Sequence, residues 1–61
     1  MNDKDIIQQA YANTLQRLFG VFFDSSTVAD TPKQKKQAED AFKAGIQFAR
    51  DVRDRALALV G

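Results

Sequence analysis

The chain has no cysteine, no histidine and no tryptophan, and only one proline and three glycines in 61 residues. Without cysteine no disulfide can staple the fold, and thiol usage says nothing about compartment. Without histidine or thiolate the usual zinc and iron ligand sets cannot be assembled, so neither a metal nor another cofactor is expected. The same absences remove the bases that activate serine and cysteine nucleophiles, which leaves Ser25 and Ser26 without a partner of that kind. No glycine-rich phosphate loop occurs either. The expectation is therefore a protein that binds rather than catalyses.

Long apolar runs are also missing. The longest, Leu18 to Phe23, is far shorter than the roughly 20 residues that span a bilayer. The start, Asn-Asp-Lys-Asp, is not a basic stretch followed by an apolar one, so a secretory leader is not expected and the cytoplasm is the default location. A domain of this size buries only about 60% of the surface its unfolded chain exposes, so small folds lean on staples, metals or partners. With the first two excluded, close helix packing or self-association remains.

What is present is helical periodicity. Asn2 can cap a first helix, with Asp5 three positions on and Asp3 and Asp5 favourable to the helix dipole. Apolar residues then recur at Ile7, Tyr11, Leu15, Leu18 and Phe22, one stripe on a 3.6-residue period. Asp24 to Asp30 is rich in side chains that compete for backbone hydrogen bonds, which predicts a helix over about 3–24 and a loop over about 25–31. Gly20 sits inside the first helix at a cost of about 1 kcal/mol relative to Ala, yet Phe22 stays in phase beyond it.

The second helix, about 32–60, opens on Thr31 as N-cap, Pro32 at N1 and Gln34 at N3, a capping box. Ala38, Phe42, Gly45, Ala49, Val52, Ala56 and Leu59 repeat as a strict heptad, flanked by Ile46, Phe48 and Val60. Four of these seven are Ala or Gly, so the bulky stripe of the first helix can approach closely, large against small. The short loop makes the pair antiparallel. The expected fold is a single all-α domain, an antiparallel helical hairpin that dimerises into a four-helix bundle.

The reason to expect a dimer is surplus apolar surface. Ile6, Phe19 and Phe23 lie off the main stripe, and Phe19 and Phe23 form an i, i+4 ridge. Together with Phe22 they are the candidate dimer or partner interface.

Charge is nearly balanced, +1 overall. The first half carries Lys4 and Arg17 against four aspartates, and the second seven basic residues against four acidic ones. This asymmetry suits two elements that attract each other. Glu39–Lys43, Arg50–Asp54 and Asp51–Arg55 have ion-pair spacing. Lys36, Lys43 and Arg50, spaced by seven, are the candidate nucleic-acid face, diluted by Asp40 and Asp54 and without interleaved aromatics. A membrane surface fits less well, because the polar side of the first helix has few cations. The sequence thus points to a small non-enzymatic regulator or adaptor that binds itself and another protein, with RNA or DNA binding along the second helix as the alternative.

Overall fold

The computed structural model describes residues 1–61 and consists of two helices, α1 (Asp3–Val28) and α2 (Pro32–Val60). At the start of α1, Asn2 is extended. Its side-chain oxygen accepts from the Asp5 N–H at 2.9 Å and its carbonyl from the Ile6 N–H at 3.2 Å. The first of these satisfies one of the orphan donors of the first turn, and the second is the first bond of the helix itself. Asp3 and Asp5 add negative charge at the positive end of the helix.

The helix does not stop near Asp24, where the sequence places the start of a loop. It continues one further turn to Val28, and only Ala29, Asp30 and Thr31 connect the helices. The side chains expected to break it are accommodated inside it. The Thr27 hydroxyl donates to the Asp24 carbonyl at 2.7 Å, a back-bond that a helix tolerates. Ser25 and Ala29 are half-buried and border Gln34 and Ala38 of α2, so the added turn lengthens the contact between helices.

The short link closes on a reciprocal cap. Thr31 Oγ1 accepts from the Gln34 N–H at 3.1 Å, while Gln34 Oε1 accepts from the N–H groups of Thr31 at 3.3 Å and Asp30 at 2.8 Å. Pro32 follows at the first helical position, where its missing N–H costs nothing.

The two helices pack against each other as an antiparallel hairpin. Moving down the pair, Phe22 stacks on Phe42 with ring centroids 4.7 Å apart, Leu18 lies over Gly45, and Arg53 covers the Tyr11 ring at 4.4 Å. The α1 stripe behaves as its spacing requires: Ile7, Tyr11, Leu15, Leu18 and Phe22 are all half-buried. The α2 stripe departs from a strict heptad. Ala38, Phe42, Gly45, Ala49 and Ala56 face α1, but Val52 is 43% exposed and Leu59 is 87% exposed. Arg53 and Leu57 are half-buried instead. A helix of 3.6 residues per turn drifts by about 20° per heptad from a 3.5-residue seam. Over the length of α2 that drift carries the seam off Val52 and onto Arg53.

The molecule is one helix-pair thick, with Cα extents of 45 × 17 × 7 Å, and no residue is fully buried. No helix is long and apolar enough to cross a membrane.

The glycines separate two effects. A Cβ at Gly20 would meet no atom within 4 Å, whereas one at Gly45 would sit 2.8 Å from Leu18 Cδ2. Gly20→Ala should stabilise the hairpin by about 1 kcal/mol in thermal or urea unfolding. Gly45→Ala carries the same propensity gain but must displace Leu18, so its gain should fall short of that or reverse. Equal gains at both positions would show that the Leu18–Gly45 approach does not constrain the seam.

Candidate functional site

Each helix of a two-helix layer has a seam and two flanks, so the hairpin has two open faces. Helical geometry assigns residues to them at about 100° per residue. One face carries a groove of about 400 Å³. Ile7, Ala10, Tyr11, Thr14 and Leu18 line it from α1, and Gly45, Phe48, Ala49, Val52, Arg53 and Ala56 from α2. Its lining is mostly apolar, with Ala10, Gly45, Ala49 and Ala56 leaving room between the larger side chains. Phe48, 71% exposed, stands at its edge.

Because Ala10 and Phe48 share the groove, the opposite flanks share the other face. There α1 presents Phe19 and Phe23, each 57% exposed, with ring centroids 6.4 Å apart. The corresponding flank of α2 presents Lys43 and Arg50. The expected ridge therefore exists, beside the basic residues rather than beside the remaining apolar surface.

The four residues singled out for an interface are not one surface. Phe22 is half-buried and stacked on Phe42, so it belongs to the hairpin's own seam. Ile6, 52% exposed, lies about 140° round α1 from Phe19 and so on the flank away from the ridge. Only Phe19 and Phe23 stand together. Phe48 and Val52, by contrast, read from the sequence as a flank and a seam position, are the outward apolar residues of the groove face. The signal was available in Ala41, Phe48, Val52 and Leu59, which repeat at steps of seven, four and seven as a second stripe beside the small-residue seam.

The ion pairs also differ from spacing. Asp51 and Arg55 pair at 3.4 Å as expected, but Glu39–Lys43 and Arg50–Asp54 do not form. Asp54 Oδ1 is instead held by Arg53 Nη2 at 3.0 Å and Nε at 3.1 Å. The same guanidinium lies over the Tyr11 ring, where cation–π attraction adds to hydrophobic contact. Lys36 pairs with Asp40 at 3.7 Å. Of the Lys36–Lys43–Arg50 stripe, Lys43 and Arg50 are thus free of ion pairs and Lys36 is not. No group of three or more acidic residues is placed to hold a metal ion.

No family model, curated protein or solved structure matches this chain, so the reading of these surfaces rests on their physical chemistry.

If Phe22 belongs to the seam and Phe19 does not, energetic coupling should say so. A double-mutant cycle to alanine across Phe22 and Phe42 should give a coupling of about 1 kcal/mol, as for stacked rings. The Phe19–Phe42 cycle should give none within error.

Proposed function

We propose that this chain is a small non-enzymatic regulator or adaptor that acts by protein–protein binding, as a homodimeric helical bundle. The observation that carries the reading is the exposed surface. The hairpin exposes 4861 Å², whereas a compact globular monomer of its 6.8 kDa mass exposes about 3950 Å². The excess, about 900 Å², is close to the roughly 800 Å² that each partner contributes to a standard protein interface. Domains are built from at least two packed layers around a core, and this hairpin is one layer with no buried residue. A second hairpin completes a four-helix bundle and supplies the missing layer.

A binding role also agrees with the chemistry present. Asp40, Asp51 and Asp54 of α2 are taken up in surface ion pairs with Lys36, Arg55 and Arg53, and no histidine or cysteine is available to activate a nucleophile. RNA or DNA binding draws less support. Lys43 and Arg50 stand free, but Lys36 is tied to Asp40, and the stripe is interrupted by acidic residues.

Sedimentation equilibrium should return twice 6.8 kDa at micromolar to millimolar chain concentration. A mass of one chain throughout that range would rule out the dimeric bundle. Anisotropy titrations with duplex RNA and DNA should show no binding sensitive to Lys43→Gln or Arg50→Gln. Binding that these changes abolish, and that weakens linearly in log salt, would favour the nucleic-acid reading instead.

A further inference from the structure

We infer that the second copy docks on the groove face, with Phe48 of each chain seated in the partner's groove, and that the Phe19–Phe23 ridge stays outside the dimer. This deepens the dimeric reading above and rests on it.

Three observations select the groove face. The first is shape. The lining of the groove of about 400 Å³ includes the small residues Ala10, Gly45, Ala49 and Ala56, and a large ring, Phe48, stands exposed at its edge. A twofold interface uses the same patch on both partners, so it must carry its own knob and its own hole. This face has both in contact with each other. Position fits as well. Phe48 lies two residues from the middle of α2 (Pro32–Val60), so a twofold axis through the middle of the face returns the partner's Phe48 to the same region.

The second observation is charge. The groove flank of α2 reads Gln34, Ala41, Phe48, Val52, Arg55 and Leu59, and the one charged residue lining the groove, Arg53, is paired with Asp54 and lies over Tyr11. The opposite flank holds Glu39, Lys43 and Arg50. Interface centres are depleted of charge and rims are polar. Apart from the Arg53–Asp54 pair, the charges of the groove face sit at its margins, where Arg17 and Arg55 can remain in water.

The third is area. An interface of standard size needs about 800 Å² from each chain, and the surface in excess of a compact monomer is about 900 Å². One face accounts for that excess.

Consequently Phe19 and Phe23, with Lys43 and Arg50 on the same face, form the outward surface of the dimer. That surface is the one left for a different protein.

The absence of native cysteine permits a direct test with two conservative single-cysteine variants. Val52→Cys places a thiol on the groove face, and Ser26→Cys places one on the ridge face within a turn of Phe23. Each is labelled with a maleimide over a range of chain concentrations, and the mass is measured in parallel. The Val52→Cys rate should fall about tenfold once nine-tenths of the chains are paired, because only the free fraction reacts. The Ser26→Cys rate should not change. Protection of Ser26→Cys alone, or of both thiols, would overturn the assignment of the face. Two unprotected thiols in a protein of dimer mass would do the same. Two unprotected thiols at monomer mass would overturn self-association itself, so the two failures are distinguishable.

Discussion

A side chain on one of two paired helices can be covered by its neighbour on one side only. That limit decides most of what this chain is. Phe22 and Phe42 stack, Leu18 rests on Gly45 and Arg53 covers Tyr11, yet none of these residues is fully buried. The seam fixes the register and direction of the hairpin. It cannot supply a core, because a core needs atoms on both sides of the layer. The hydrophobic term scales with apolar area removed from water, and here Phe48, Val52, Phe19 and Phe23 all keep much of theirs in solvent.

The sequence was informative wherever the signal was local. Thr31, Pro32 and Gln34 define a capping box by spacing alone, and the structure contains it. Asn2 caps α1 in the same way. The α1 stripe from Ile7 to Phe22 is readable because a 3.6-residue period keeps it on one side of a straight helix. The α2 stripe is less so, since an apolar heptad and a straight helix part company by about 20° per repeat. Val52 fits the heptad, but Arg53 fits the helix. Nothing in the residue types announces this, because an arginine at a seam position reads as solvated until its aromatic partner is known to lie opposite. The turn from Asp24 to Val28 departs from its residue types for a related reason. Ser and Thr favour loops because their hydroxyls bond nearby backbone there, and here Thr27 makes such a bond to the Asp24 carbonyl within the helix.

The surfaces were legible only in part. The Phe19–Phe23 ridge follows from i, i+4 spacing and is present. Its neighbours do not follow from spacing, since they depend on which flanks of two helices share a face. That pairing sets the ridge beside Lys43 and Arg50, and sets Phe48 and Val52 beside Ala10 across a groove. The two apolar surplus regions are thereby separated in character. One is a groove whose one charged lining residue, Arg53, is already paired with Asp54, and the other is an exposed aromatic pair next to free cations. In the proposed dimer the first would hold the two copies together and the second would be left for a different partner.

The central claim is that a second copy of the chain completes the hairpin's core, and the dependence of thermal unfolding on chain concentration tests it most directly. Association that favours the folded state makes the midpoint depend on concentration. The account requires the midpoint, followed by helical circular dichroism, to rise steadily as the chain is concentrated from micromolar to millimolar. A midpoint that stays constant across that range would mean that the single layer is stable alone, and would contradict it.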